Sequence, residues 1–353
     1  MREFLVGSRP VGQGCPCYII AEAGVNHKCD LDTALAMIEK AKQAGADAIK
    51  FQTYKADTLV TRWAPRYWQD PEPSGTQHAI FRRSDRFGPE EYRALAEACV
   101  EHAIHFISTP FDLPSVDLLN DLGVPAFKIA SADITDRPLV EKVGATGKPV
   151  FLSTGASTMP EIEAALGWLR QVGNESVMVL HCVLSYPTPI EHASLARIPM
   201  LQERFPDYAI GLSDHTIPDD CVTVTTAAVA LGAKAIEKHF TLGRDLPGDD
   251  HYLSVDPALL ARTVEKVRMA EQAMGEPYDQ PLECELPARE NARRSIVAAV
   301  DIPAGTKLEP EHLIMKRPGT GISPAEIGKV LGRVTTSPIA EDSLVEWNSL
   351  EDE

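Results

Sequence analysis

Eight short apolar runs alternate with amphipathic stretches along most of this chain. Short apolar runs separated by helical patterns are typical of parallel strands joined by crossover helices. Eight such units predict an α/β fold, a (β/α)8 TIM barrel. A doubly wound open sheet is the alternative, although no GxGxxG motif follows the first run. The runs are YIIAE (18–22), DAIKF (47–51), HFIST (105–109), AFKIAS (126–131), PVFLST (149–154), VMVLHC (177–182), YAIGLS (208–213) and KAIEKHF (234–240).

The stretches between these runs follow the helical period, as in LDTALAMIEKAKQAG and PEEYRALAEACVEHA. Several of them end in glycine before the next run, which is a common way to end a helix. One connection is much longer than the others and covers residues 54–88. A connection of this length is usually functional or disordered, and its arginines and its aromatic residues Trp63, Tyr67 and Trp68 favour a cover over a substrate site.

The barrel pattern fades at MGEPYDQPLECELPARE, a segment rich in proline and glutamate. We therefore expect a barrel over residues 1–275, a linker over 276–292 and a small β-rich domain over 293–353. Within the small domain, SIVAAVDIPAGTKL and GRVTTSPIAEDSL form a weak internal repeat, in which I-P-A-G corresponds to I-A-E-D. The repeat predicts pseudo-twofold character.

The amino-acid composition argues against several classes of function. The net charge of −17 argues against general binding to nucleic acid or to anionic membranes. No run of eighteen apolar residues indicates a membrane span, and the N-terminal residues lack the apolar core of a signal peptide, so a cytoplasmic protein is expected. The seven cysteines do not indicate a disulfide framework, and Cys15 and Cys17 lack a second pair at zinc-finger spacing.

Polar residues stand at or just after the end of every predicted strand. In a barrel these ends meet at one rim, where active sites form. A rim supplied by all eight strands therefore predicts a functional site. The residues are Glu22, Asn26, His27, Lys50, Gln52, Ser108, Thr109, Lys128, Ser131, Asp133, Ser153, Thr154, His181, Tyr186, Ser213, Asp214, His215, Glu237, Lys238 and His239.

Two lysines within this set, Lys50 and Lys128, lie in otherwise apolar strands. Together with hydroxyl groups they can bind phosphate and carboxylate oxygens, which predicts a site for a small anion of two or three charges. The alternative is that both lysines reach the barrel mouth or are neutralised by acids. No P-loop motif indicates a nucleotide. The hydroxyl residues are Thr109, Ser131, Ser153 and Ser213.

Two histidines, His215 and His239, follow neighbouring strands and have several acids nearby. Two imidazoles with water in the remaining positions suit a catalytic divalent ion. Each histidine taken alone is more often a structural or capping residue than a metal ligand. The residue types leave manganese, zinc, cobalt and iron open.

The segment after the last strand, RDLPGDDHYLSVDP, carries Asp249, Asp250 and His251. These residues can serve as acid/base or hydroxyl-binding groups, or form a solvated turn. Arg317, in KRPGTGI of the small domain, has the sequence context of a surface arginine.

Taken together, ten short motifs in order cover nearly the whole chain and resemble the sialic acid (N-acetylneuraminate, or nonulosonic acid) synthase family. The last motif lies in a C-terminal module that resembles an antifreeze-like SAF domain. No motif is decisive alone, but their order is specific. The motifs are EAGVNH, KFQT, STPFD, FKIAS, LSTG, YPTP, GLSDHT, EKHFT, PGDDH and KRPGTG.

The resemblance implies a reaction. Family members condense phosphoenolpyruvate (PEP) with an N-acylated aminosugar such as N-acetylmannosamine, and release phosphate by C–O cleavage. It also implies a divalent metal, manganese first and magnesium or cobalt as alternatives, and a domain-swapped homodimer.

Roles follow from the resemblance position by position. His215 and His239 would hold the metal, and Glu22 would activate or orient the attacking water. Asp250 and Tyr186 would position sugar hydroxyls, and Arg317 would reach the acylamino group from the partner subunit. The PEP-binding set would be Lys50, Thr109, Lys128, Ser131, Ser153 and Ser213, with Gln52 nearby.

Three features depart from the family pattern. Leu184 stands where Asn or Ser is usual, which removes one hydrogen bond on the PEP side. Asp133 stands where Glu is common and shortens the reach toward the sugar by one methylene. The 60–88 loop does not match the usual sugar-side loop. Precursors of legionaminic or pseudaminic type, and mannose, therefore stay open as substrates.

Two other functions compete with this interpretation. A related PEP-condensing synthase acting on a phosphorylated sugar would need a second cationic cluster and generally lacks the SAF-like module. A catalytically silent glycan-binding protein predicts that the rim residues are replaced, whereas Glu22, both lysines and both histidines are present.

Overall fold

The computed structural model describes residues 3–68, 75–248 and 250–351. The chain forms two compact units, Met1–Gly275 and Glu276–Glu353. In the described part of the chain, no helix is both long enough and apolar enough to cross a membrane.

The first unit is the predicted barrel. A short antiparallel hairpin, β1 (Phe4–Val6) and β2 (Arg9–Val11), precedes it. Eight parallel strands then close in the order β10-β3-β4-β5-β6-β7-β8-β9, which excludes the open sheet. The barrel strands are β3 (Tyr18–Gly24), β4 (Ala48–Thr53), β5 (His105–Pro110), β6 (Phe127–Ile129), β7 (Val150–Ser153), β8 (Val177–Cys182), β9 (Ala209–Asp214) and β10 (Ala235–His239).

Helices connect the strands and cover the barrel. Aspartates cap several helices, as where Asp112 accepts from the Ser115 amide at 2.8 Å and Asp256 from the Leu259 amide at 2.8 Å. The helices of this unit are α1 (Leu31–Gln43), α2 (Ala56–Leu59), α3 (Gln77–Phe81), α4 (Pro89–Glu101), α5 (Leu113–Asp121), α6 (Arg137–Ala145), α7 (Met159–Gln171), α8 (Arg197–Arg204), α9 (Thr223–Ala230) and α10 (Pro257–Met274).

Two cores result from the alternation of side chains along each strand. One set of positions, including Tyr18, Phe151 and Met178, fills the barrel interior together with Phe4 and Val6 of the hairpin. The other set, including Ile210 and Ile236, packs against the helices.

The long connection after β4 contains α2 and α3, and its residues 69–74 lie outside the described part of the chain. Tyr67 packs edge-on against Trp68, whose ring lies 5.8 Å from that of Phe81 between centroids. Trp63 is 77% exposed and Tyr67 58% exposed. The role of these rings as a substrate cover stays a prediction.

The second unit has its own apolar core, which includes Ile296, Ile302 and Ile339. Ile302 and Ile339 are the first residues of the repeated I-P-A-G and I-A-E-D segments, and each donates its amide to the other's carbonyl at 2.8 Å. The two halves of the repeat are thus hydrogen-bonded to each other. The elements are α11 (Leu286–Asn291), within the segment expected as a linker, β11 (Ser295–Ala298), β12 (Leu313–Lys316) and α12 (Ile327–Val330).

Candidate active site

The strand period decides which rim residues enter the barrel. Side chains two residues apart share a face, so the apolar interior positions continue into polar ones at the carboxyl ends of the strands. Tyr18 and Ile20 thus lead to Glu22, and Ala235 leads to Glu237 and His239. The polar residues of this interior set are Glu22, Lys50, Gln52, Thr109, Lys128, Ser153, Ser213, His215, Glu237 and His239.

Other strand-end residues face the helices rather than the barrel interior. The expectation that every polar strand-end residue lies at one rim is therefore wrong for Ser108, His181, Asp214 and Lys238. Ser108 hydrogen-bonds Thr53 at 2.7 Å, and His181 Nε2 donates to the Ala193 carbonyl at 2.8 Å. Asp214 and Lys238 pair with each other. The same alternation places Cys182, which the sequence analysis did not select, on the interior face.

Four alternating charges form the centre of the site. Lys50 Nζ lies 2.6 Å from Glu22 Oε2 and 3.7 Å from Glu237 Oε1. Lys128 Nζ lies 3.8 Å from the same Glu237 oxygen, and Lys50 also donates to Thr109 Oγ1 at 3.1 Å. All four charged side chains are buried. The alternative in which acids neutralise the two lysines therefore applies in part. An anion that binds here would compete with Glu22 and Glu237 for the lysine ammonium groups.

Burial and neighbouring charges shift the pKa values in this cluster. Burial raises the pKa of Glu22 to about 7, against the opposing effect of Lys50. Burial favours neutral forms of Glu237 and Lys50 as well. For Glu237, however, the two lysines outweigh burial and lower the pKa; for Lys50, Glu22 and Glu237 outweigh it and raise the pKa. Burial dominates at Lys128 and lowers its pKa.

Hydroxyl groups surround these charges. Ser213 Oγ donates to Glu237 Oε1 at 3.0 Å, and Ser131 Oγ accepts from the Gly155 amide at 2.8 Å. Gly155 has no room for a side chain, because a Cβ there would lie 2.9 Å from Ser131 Oγ and 3.0 Å from Leu184 Cβ. Leu184, the departure noted in the sequence, therefore lies beside the expected PEP-binding hydroxyls.

Among the residues that the structure describes, several strand-end side chains carry buried polar atoms without a hydrogen-bond partner. Such atoms are costly unless a ligand or water satisfies them. One belongs to Asp133, where burial raises the pKa to about 7. These atoms include Ser153 Oγ, Asp133 Oδ2, Glu237 Oε2 and His239 Nδ1.

The two histidines come together as the sequence predicted. Their ring centroids are 5.2 Å apart, and the Tyr186 ring lies 4.2 Å from that of His215. His215 Nδ1 donates to the Val183 carbonyl at 2.9 Å, which leaves Nε2 as the acceptor of a neutral ring. His239 Nδ1 lies 3.3 Å from Asp250 Oδ2, in a geometry that is not a hydrogen bond.

These donors fit a divalent cation. Burial lowers the pKa of His239 well below its usual value, which keeps this ring neutral. At His215 burial acts in the same direction, but Cys182 outweighs it and raises the pKa, so a metal would compete with a proton there. Within the described ranges no three His, Cys, Asp or Glu side chains form a metal cluster. A two-imidazole site completed by water or substrate oxygen is compatible with this arrangement.

Asn26 orders the segment that carries Asp250, a role that the sequence analysis did not assign. Its Nδ2 donates to the Phe240 carbonyl at 2.9 Å and to Ser254 Oγ at 3.1 Å, and its Oδ1 accepts from the Asp250 amide at 3.2 Å. Its place in EAGVNH, directly after a strand, was the available signal.

The remaining candidates occupy different positions. Gln52 donates to Glu22 Oε1 at 3.2 Å, inside the site. His251 is buried and hydrogen-bonds Thr241 Oγ1 at 2.7 Å, which excludes a solvated turn at this residue. Asp249 lies outside the described residues. Arg317 is exposed and belongs to the second unit, so its role at the site stays a prediction.

Comparisons with known proteins identify the family of this chain. The NeuB family profile matches residues 37–279, and the SAF domain profile matches residues 293–351. The chain is 37% identical to the N,N'-diacetyllegionaminic acid synthase of Legionella pneumophila, over 98% of each chain. It is 36% identical to the N-acetylneuraminate-9-phosphate synthase of Mus musculus, over 98% of this chain and 96% of the other.

A solved structure is also similar. The crystal structure of the N-acetylneuraminic acid synthetase of Leptospira borgpetersenii, in complex with citrate, superposes with a TM-score of 0.72 at 34% identity. The match covers 81% of this chain and 94% of the other. With a family profile over most of the barrel and relatives aligned over nearly the whole length, the chain belongs to the NeuB family.

Proposed function

We propose that this protein is a nonulosonic acid synthase that condenses PEP with N-acetylmannosamine or a related acylaminosugar. The observation that carries the proposal is the buried Lys50–Lys128 pair, which adjoins polar atoms that lack partners in the protein itself. A small anion that bonds to these lysines and to Ser153 Oγ would satisfy groups that are otherwise costly to bury. Family membership supplies the reaction class.

The PEP-binding groups divide between charge and hydrogen bonding. Lys50 and Lys128 supply the ammonium groups, and Thr109, Ser131, Ser153 and Ser213 supply hydroxyls. When PEP oxygens approach Lys50, they compete with Glu22 for the same ammonium. Glu22 then loses part of its stabilising partner and becomes a stronger base for water.

Carbon 3 of PEP attacks carbon 1 of the open-chain sugar with the electrons of the C2–C3 double bond, which leaves an alkoxide on the sugar and an oxocarbenium-like centre at carbon 2. Water, oriented by Glu22, adds to carbon 2 and gives one proton to Glu22, and the sugar alkoxide takes up one proton and becomes a hydroxyl, so that no net proton is gained or lost. The new hydroxyl on carbon 2 gives its proton to the phosphate as the bond between carbon 2 and the phosphate oxygen breaks, which releases phosphate and leaves the 2-keto acid.

His215 and His239 would hold a divalent cation, most simply manganese, with magnesium or cobalt as alternatives. When bound, such a cation polarises the sugar aldehyde oxygen as a Lewis acid. The two rings come from neighbouring strands, which leaves coordination positions for water and substrate.

On the sugar side, Asp250 and Tyr186 would position hydroxyl groups, with Gln52 and Asp133 nearby. We propose that Arg317 reaches the acylamino group from the partner subunit of a domain-swapped homodimer. Relatives whose names specify legionaminic acid or N-acetylneuraminate-9-phosphate align at nearly the same identity, so identity alone does not rank the sugars. We also propose a cytoplasmic location, since all seven cysteines are free thiols.

Phosphate release tests the proposal. PEP and manganese would be incubated with N-acetylmannosamine, its 6-phosphate, mannose, 2,4-diacetamido-trideoxyhexoses, a phosphorylated tetrose and a phosphorylated pentose, using wild type and Lys128→Met side by side. Release with one acylaminosugar, lost in the variant, supports the proposal and names the product. Release only with a phosphorylated tetrose or pentose would assign the chain to another PEP-condensing synthase. No release with any sugar would favour a glycan-binding protein.

A further inference from the structure

The outward faces of β9 and β10 carry a buried ion pair immediately behind the two histidines. Asp214 and Lys238 are direct partners in the parallel register, and Lys238 Nζ lies 2.7 Å from Asp214 Oδ2. Asp214 is 5% and Lys238 2% exposed. Each residue directly precedes one histidine, His215 or His239.

Both residues of the pair also hydrogen-bond to Thr216, the residue that follows His215. Asp214 Oδ1 accepts from the Thr216 amide at 2.9 Å, and Oδ2 accepts from Thr216 Oγ1 at 3.0 Å. Lys238 Nζ donates to the Thr216 carbonyl oxygen. Lys238 of β10 thus contacts the residues on both sides of His215, namely the side chain of Asp214 and the backbone carbonyl of Thr216.

Stability alone does not explain this pair. The preceding outward positions on the same strands are Ile210, Leu212 and Ile236, which pack against the helices. A buried ion pair is often no more stabilising than apolar residues of similar size, because both charges lose their hydration. Because the charged pair stands directly next to both histidines, we interpret it as a means of positioning those two residues.

We propose that Asp214 and Lys238 are positioning residues that fix the separation and orientation of His215 and His239 for a divalent cation. The inference rests on the metal site of the proposed function. The backbone is held independently on the far side of each histidine, where the Thr188 amide donates to the His215 carbonyl at 2.9 Å and the Val255 amide to the His239 carbonyl at 2.8 Å. Asp214 and Lys238 supply the side-chain link between the two strands at the level of the rings.

The test measures manganese binding by the metal-free full-length protein, followed by the loss of free Mn²⁺ signal in electron paramagnetic resonance. The double variant Asp214→Leu/Lys238→Met removes both charges without leaving one unpaired. We expect its manganese affinity to fall about 10- to 100-fold, as for other residues that orient metal ligands, while its melting temperature without metal stays near that of wild type.

The matched control is another outward polar pair at neighbouring strands, Thr53 and Ser108, whose hydroxyls are 2.7 Å apart. Thr53→Val/Ser108→Ala should bind manganese as wild type does. Unchanged affinity in the Asp214/Lys238 double variant would overturn the inference, as would failure of that variant to fold, since the pair would then serve the barrel as a whole. If wild type binds no manganese, or His215→Ala binds it equally well, the metal site itself is wrong and the inference falls with it.

Discussion

Lys50 Nζ lies 2.6 Å from Glu22 Oε2, and the two residues are register partners on β4 and β3. This pair joins the proposed anion-binding group to the proposed base. Because burial raises the pKa of Glu22 to about 7, its protonation changes near neutral pH.

The first prediction concerns pH. Glu22 accepts a proton only when ionised, so kcat/KM should fall as the pH drops below about 7. Glu22→Gln should abolish this limb and lower kcat about 10²- to 10⁴-fold. The pH profile of phosphate release checks both effects. Glu90→Gln, at a side chain that is 82% exposed, is the control and should keep the limb. An unchanged limb in Glu22→Gln would assign it to another group.

The second prediction concerns PEP affinity. Lys128→Met removes a charged donor, and hydrogen bonds to charged groups contribute about 1.5–3 kcal/mol. We expect KM for PEP to rise about 10- to 150-fold, with a much smaller change in KM for the sugar. Initial rates with each substrate varied would measure this. Lys266→Met, whose side chain is 40% exposed, should behave as wild type. An equal effect on both KM values would argue against a PEP-specific role.

The third prediction concerns the metal. Removal of divalent cations by a chelator should abolish phosphate release, and manganese should restore it. His215→Ala and His239→Ala should each weaken manganese binding at least 10-fold, because each ring is half of the protein donor set. Isothermal titration with manganese would measure the affinity. His102→Ala, at an exposed position, is the control. Full activity in the presence of chelator would contradict the proposed metal dependence.

The fourth prediction concerns Leu184, whose Cβ lies beside the space next to Gly155 and Ser131. Leu184→Asn introduces a donor there, and a net hydrogen bond contributes about 1 kcal/mol. KM for PEP should therefore fall about 5-fold. Leu184→Met, which keeps an apolar side chain, should leave KM unchanged. A higher KM in Leu184→Asn would show that an apolar contact at this position is preferred.

The fifth prediction concerns Arg317. Two differently tagged chains, Lys50→Met and Arg317→Ala, would be co-expressed and the mixed dimer purified. If Arg317 acts on the partner's barrel, one of the two sites in the mixed dimer combines an intact barrel with an intact Arg317. Activity should then return to about half that of wild type, although each homodimer is inactive. No recovery, or a monomer by light scattering, would remove the proposed role in trans.

The alternation of apolar runs and helical stretches was sufficient to predict the barrel, because strand and helix periods are local properties of the sequence. It also predicted that His215 and His239 would meet, since consecutive parallel strands of a barrel are neighbours. The two-residue period of a strand also implies that Glu237 and Lys238, which are adjacent in sequence, point to opposite faces of β10, as the structure shows.

Only the tertiary structure decided how individual polar groups are paired. Asn26 hydrogen-bonds to the carbonyl of Phe240, which lies 214 residues later in the chain. Lys50 lies near two carboxylates on different strands, 2.6 Å from Glu22 and 3.7 Å from Glu237. Such pairings depend on barrel closure and on distances between side chains that no local pattern encodes. The sequence thus determined the fold and the residue types at the rim. Packing determined which charges are buried together, and through burial it determined their pKa values.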